Sequence, residues 1–224
     1  MDGKTDRATV GPRRPIPARE ARLSKAVTRR LVAHGIGANA ISIAGLVFAL
    51  LAGLVLAFMP AGLPWSFAAW LLVALLVELR LLANMFDGMV AIESRSVSKH
   101  GELYNELPDR FSDIAVLVGL GYAPGGDVVL GYGAALAAVL TAYIRAAGAA
   151  AGAPPVYCGP MAKPHRMHVV AASAVVSAVT TVLGWTPDAA LGSRSVPTLG
   201  LLIITIGAGL TCLRRVARIA RALG

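Results

Sequence analysis

Apolar residues run along this chain in six long blocks, at about 39–59, 66–92, 103–123, 128–151, 167–185 and 196–213, with short polar turns between them. Blocks of that length, without the alternation of a half-buried strand, predict membrane-crossing helices. The stretch before the first block reads differently. From Glu20 to Ala33, apolar Ala21, Leu23, Ala26, Val27 and Leu31 interleave with Arg and Lys, which predicts a basic helix lying on a membrane surface. A solvated charged tail that only sets topology fits the same pattern. Residues 1–19, with Pro12, Pro15 and Pro17, are expected to be disordered, and 20–224 to form one membrane domain. The expected fold class is all-α: a polytopic membrane bundle of six transmembrane helices with an N-terminal basic interfacial helix.

Composition agrees with the pattern. Of 224 residues, 56% are hydrophobic and 15% charged, less charge than a soluble domain of this size carries. The net charge of +9 raises the question of nucleic acid, and the charge distribution answers it. Lys and Arg crowd before the first block, recur at Arg95 and Lys99, at Lys163 and Arg166, and return at Arg214, Arg215, Arg218 and Arg221. The intervening turns carry almost none. Basic residues on every second connection mark the cytoplasmic side, so both termini are expected in the cytoplasm of a cell (inner) membrane protein, with lipids and not nucleic acid as the basic partners. Cys158 and Cys212 lack the spacing of a disulfide framework or a zinc site.

Charge inside a membrane segment is costly and calls for a role. Here it gathers around the second and third blocks: Glu78, Arg80, Asn84, Asp87, Asn105, Glu106, Asp109, Arg110 and Asp113. Glu78 and Arg80 can be read as bundle-stabilising pairs. The remainder is regularly spaced. Asn84 and Asp87 share a helix face, and Gly101, Asn105, Asp109 and Asp113, each four apart, form a stripe on the next helix. A short turn sets the stripes antiparallel. Oxygen-only ligands of this kind suit hard cations such as Mg²⁺ or Mn²⁺, commonly held with substrate phosphates, and Gly88 and Gly101 permit close approach of a ligand.

The segment NMFDGMVAIESRSVSKHGELYNELPD, residues 84–109, resembles the signature of the CDP-alcohol phosphotransferases, D-x2-D-G-x2-A-R-x8-G-x3-D-x3-D. Asp87, Gly88, Ala91, Gly101 and Asp109 match without a gap. Asn84, Ile92 and Asn105 stand where the signature has Asp, Arg and Asp. The segment 37–53, containing Asn39, resembles the beginning of the family's first span, and AYIRAAG (142–148) with GPMAKPHRM (159–167) resembles its later basic positions.

The resemblance implies a metal-dependent transferase of phospholipid biosynthesis. Such an enzyme moves a substituted phosphate, here a phosphatidyl group, from a CDP-alcohol such as CDP-diacylglycerol to an acceptor alcohol and releases CMP. It implies metal ligation by Asp87 and Asp109, with Asp109 also the general base; Asn84 and Asn105, at the positions of two signature aspartates, keep a carbonyl oxygen for a metal, and Asp113, one turn beyond Asp109 on the same face, is the best-placed compensating ligand. It implies substrate contacts at Asn39, Gly88, Ala91, Arg95, Gly101, Arg145, Lys163 and Arg166. The partners would be a CDP-linked lipid and a small or phosphorylated alcohol. The Gly/Ala-rich fourth and fifth spans would serve helix packing or a homodimer.

The departures leave alternatives open. With two carboxylates lost, the site holds one metal, or Glu93, Glu102, Glu106 or Asp113 compensates, or catalysis is lost and the chain binds CDP-lipid or metal in a regulatory role. The expectation carried forward is an active, divergent enzyme. Arg95 and Lys99 either replace the missing arginine or are ordinary inner-side charges. Arg145, Lys163 and Arg166 either form an anion pocket for an acceptor phosphate or anchor headgroups. A transporter would need polar residues at matching depth on several spans; here they concentrate on two.

Overall fold

The computed structural model describes residues 21–63, 65–94, 99–184 and 195–224, with residues 99–105 described as helix backbone alone. The expected tail at 1–19, Arg95 and the side chain of Asn105 lie outside the described residues, and Gly101 is described only as part of the helix backbone.

The described residues form α-helices joined by irregular connections, in the order α1 Arg22–Ala33, α2 Ala38–Phe58, α3 Ser66–Glu93, α4 Lys99–Tyr122, α5 Val128–Ala150, α6 Lys163–Leu183 and α7 Val196–Leu223. Local chemistry accounts for several boundaries. The Asp127 carboxylate accepts from the Leu130 N–H at 2.8 Å and caps α5. Pro164 and Pro197 occupy the first turns of α6 and α7, where a missing N–H costs nothing. Gly184, at φ +60°, closes α6 in the left-handed conformation that most residues avoid. Helix α7 outruns its apolar block by a further ten residues, since the arginines after Leu213 continue the same helix.

Among the described residues, α2, α3, α5, α6 and α7 are long and apolar enough to cross a membrane. The sixth expected span, α4, is 24 residues long but carries Glu102, Glu106, Asp109, Arg110 and Asp113 before its apolar half. The outer faces of the long helices show Leu50, Leu54, Leu75, Leu136, Val179, Ile206 and Leu210 to the surroundings. That is the inverse of a soluble bundle and suits lipid contact.

The core is built from small and branched side chains: Ala49, Ala52 and Leu56 of α2, Val73 and Val77 of α3, Val116, Leu117 and Leu120 of α4, Ala134 and Ala138 of α5, Val170 and Ala174 of α6, Leu201 and Ile204 of α7. Helix α2 is the shared neighbour of α3 and α4. It meets α4 at glycines: a Cβ on Gly53 would fall 2.5 Å from the Ala115 carbonyl oxygen, and one on Gly119 would fall 2.6 Å from the Gly53 carbonyl oxygen. The sequence pattern predicts α3 and α4 packed directly together. Instead α2 and α6 hold them apart along most of their length, and side chains alone close the gap near the polar end.

Candidate functional site

The gap between α3 and α4 becomes a cleft where the polar stripes face each other. Its walls are Ser42 and Gly45 from α2, Arg80, Asn84 and Asp87 from α3, and Pro108, Asp109 and Ser112 from α4. Arg80, Asn84 and Asp87 share a face because they are four and three residues apart on one helix. Pro108 lies inside α4 and removes one backbone donor immediately before Asp109.

Each carboxylate is held. Asp87 is buried, and its Oδ2 accepts from the Ser42 hydroxyl at 2.8 Å. Asp109 Oδ1 accepts from the Arg80 guanidinium at 3.0 Å and also contacts the Lys163 ammonium. The same Lys163 Nζ donates to Asn84 Oδ1, so it sits between α3 and α4. Asp109 Oδ2 has a looser neighbour, Arg110 NH2 at 3.9 Å, and is the freer oxygen of the pair. Arg80 is only 2% exposed, and its Nε and NH1 have no hydrogen-bond partner among the described residues.

A second layer of charge lies beside the cleft. Asp113, one turn beyond Asp109, is fully buried and turned to Arg166, with Oδ2 to NH2 at 2.6 Å. Arg166 NH1 also donates to the Met161 carbonyl at 3.0 Å, tying α6 to the loop before it. Arg145 NH2 donates to Glu106 Oε1 at 2.6 Å, and its guanidinium stands 5.6 Å from the Tyr157 ring centroid. Arg215 donates to the Cys158 and Thr141 carbonyls and pins the α5–α6 connection to α7.

Of the residues singled out in the sequence, the structure brings Asn84, Asp87, Asp109 and Lys163 together at one cleft. Arg145 lies beside it through Glu106, and Asp113 and Arg166 pair with each other behind it. Gly88 is buried in α3, Ala91 follows a turn later, and Asn39 is exposed near the start of α2. The sequence pattern does not single out Ser42, Gly45, Pro108 or Ser112 for the cleft, and it reads Arg80 as a bundle residue. Arg80 precedes Asn84 by four and therefore shares its face. Ser42 is one hydroxyl in an apolar helix, and nothing in the sequence aims it at Asp87.

The room left between these side chains is about 10 Å³, close to the space of one water-sized body. Among the described residues, no three His, Cys, Asp or Glu side chains gather as metal ligands. The cleft offers two carboxylates and the amide oxygen of Asn84 instead. These hard donors, with that room, fit one Mg²⁺ or Mn²⁺.

No protein-family model matches the chain. Over 136 residues it is 31% identical to the inner membrane protein YnbA of Escherichia coli (strain K12), a match covering 61% of this chain and 65% of that protein, so the chain spans a little under two thirds of the length of this curated relative. The architecture matches phosphatidylinositol phosphate synthase of Mycobacterium tuberculosis. With CDP-DAG bound, that structure superposes at TM-score 0.72 and 23% identity, covering 91% of this chain and 96% of the synthase chain. The complex with manganese and citrate gives 0.70 and 22%, covering 89% and 90%. The polar cleft described above is thus carried on the fold of that synthase.

Proposed function

We propose that this chain is a divergent CDP-alcohol phosphotransferase. It would move a phosphatidyl or similarly substituted phosphate from a CDP-alcohol such as CDP-diacylglycerol to an acceptor alcohol, releasing CMP, in phospholipid biosynthesis. The observation that carries the reading is the meeting of Asn84 and Asp87 from α3 with Asp109 from α4 at one cleft, at the spacing of the family signature. The shared fold with a synthase solved with CDP-DAG and, separately, with manganese supports it.

In this reading α4 is the sixth crossing helix, α1 lies on the inner leaflet, and both termini face the cytoplasm, following the basic connections. Asp87 and Asp109 would hold Mg²⁺ or Mn²⁺, with the Asn84 carbonyl bordering the same place. The bound ion supplies neutralisation of diphosphate charge. The chain's own groups do the rest. Ser42 fixes the Asp87 carboxylate. Arg80 and Lys163 bring positive charge to the diphosphate oxygens, which replaces what Ile92 cannot supply. Asp109, through Oδ2, takes the proton of the acceptor hydroxyl. The alcohol oxygen bonds to phosphorus as the phosphorus–oxygen bond to CMP breaks, and CMP leaves with the electron pair. Arg145 and Glu106 flank the opening where an acceptor would approach.

A binding-only member is the second reading, favoured by Asn84 and by the cations already occupying Asp109 Oδ1. One experiment separates the two. The purified protein is incubated with CDP-diacylglycerol, Mn²⁺ or Mg²⁺ and a panel of alcohols and phosphorylated alcohols, and CMP is followed by mass spectrometry. CMP formed with one acceptor, and lost with EDTA, supports the enzyme. CDP-diacylglycerol binding with no CMP from any acceptor overturns it and leaves the binding protein.

A further inference from the structure

The charge count of the cleft points beyond that reading. Two asparagines stand where the signature has aspartates, and the same cleft contains two cationic side chains. Lys163 begins α6, and its stem carries the ammonium across to the α3–α4 gap, where it contacts both Asn84 Oδ1 and Asp109 Oδ1. Only 14% of the side chain is exposed, so water cannot fully solvate the charge, and these two oxygens must. Arg80, more deeply buried, meets the same Asp109 oxygen from the α3 side. Asp87 takes no part in these contacts; its bond is to Ser42.

We infer that the Lys163 ammonium is a built-in cation of the cleft, occupying the Asn84–Asp109 side, so that a single divalent ion, held on the Asp87 side, completes it. Asn84 is then matched to its partner. An amide oxygen accepts a hydrogen bond from an ammonium and adds no charge, whereas an aspartate there would pair with the ammonium as a second carboxylate. Arg80 serves as a positioning residue: it holds Asp109 Oδ1 toward Lys163, and its unpartnered Nε and NH1 remain as donors for an anion. The divalent ion comes from the proposed phosphotransferase reading. The occupancy of the Asn84–Asp109 side by Lys163 is a property of the substrate-free protein and can be read without turnover.

The test is Mn²⁺ binding to the full chain in detergent micelles, followed by electron paramagnetic resonance of the free ion, with thermal unfolding as the check on folding. The wild type is expected to bind at most one Mn²⁺ per chain. Lys163→Met is expected to tighten Mn²⁺ binding by about tenfold or more, or to add a second ion, because a competing unit charge a few ångströms away is gone. Lys163→Arg should behave as wild type. Two ions on the wild type, or unchanged or weaker binding in folded Lys163→Met, overturns the inference. If Lys163→Met does not fold, Asn84→Asp decides. With the ammonium in place the added carboxylate is neutralised, and affinity should rise less than about threefold. A rise of about tenfold in Asn84→Asp overturns the built-in cation. Absence of CMP release alongside the expected Mn²⁺ behaviour would defeat the phosphotransferase reading and leave the Lys163 assignment standing.

Discussion

Asp113 and Arg166 form an ion pair 2.6 Å apart across the α4–α6 boundary, with side-chain exposures of 0% and 2%. The pair is closed further by Arg166 NH1 on the Met161 carbonyl, while Asp113 Oδ1 has no partner among the described residues. Sequence spacing offers Asp113 to a metal and Arg166 to an acceptor phosphate. The geometry turns each toward the other. Removing one partner leaves an uncompensated charge in a dry interior, whereas removing both leaves only a packing defect.

Arg166→Met is therefore expected to destabilise the protein by about 3–5 kcal/mol, and Asp113→Leu with Arg166→Met by much less. Unfolding in detergent, compared across the single and double variants, checks this. Equal losses in both would mean that the pair is not coupled.

Ser42 offers a finer test of the cleft. Its hydroxyl donates to Asp87 Oδ2 at 2.8 Å from a helix that contributes no ligand of its own. Residues that orient metal-binding carboxylates commonly contribute about ten- to a hundredfold in metal affinity or activity when removed. Ser42→Ala is expected to weaken Mn²⁺ binding by about tenfold with little change in unfolding temperature. Affinity within twofold of wild type would show that Asp87 needs no such support.

Much of this was legible before any coordinates. The apolar blocks gave the helices to within a few residues at most ends, because a long apolar run in a membrane protein has one solution for its backbone polar groups. The Asn84/Asp87 and Asp109 spacing located the cleft, because helical periodicity fixes which side chains share a face. The separation of α3 from α4 by α2 was not legible. It depends on Gly53 meeting Gly119, a contact between residues 66 positions apart whose only sequence trace is two glycines among many. The roles of Lys163 and Arg166 were not legible either. Both open α6, three residues apart, yet one reaches into the cleft and the other behind it, and no pattern along a single helix states which neighbours its first turn meets.

The carboxylates carry the chemistry in the proposed reaction, so their removal should be absolute. Asp109→Ala and Asp87→Ala are each expected to abolish CMP release from CDP-diacylglycerol, and EDTA to do so reversibly on re-addition of Mn²⁺. Asp109→Asn should be equally inactive, since an amide keeps the oxygen but accepts no proton at neutral pH. CMP release by Asp109→Asn near the wild-type rate would remove Asp109 as the base.

The α2–α4 crossing should control the cleft from a distance. A methyl group at Gly53 would meet the Ala115 carbonyl at 2.5 Å, a backbone atom that cannot swing away, so α4 itself must move. Overpacking of this kind costs about 1–3 kcal/mol. Asp109 lies fewer than two turns from Ala115 on the same helix, so its contacts with Arg80 and Lys163 on the neighbouring elements should move with it. Gly53→Ala is thus expected to lower the unfolding temperature and the Mn²⁺ affinity together. Gly133→Ala is the control, because a Cβ there meets nothing within 4 Å. It should leave Mn²⁺ affinity unchanged and stabilise α5 slightly, by about 1 kcal/mol or less. If Gly53→Ala lost stability while keeping wild-type affinity, the crossing would be a packing feature alone, with no hold on where Asp109 sits.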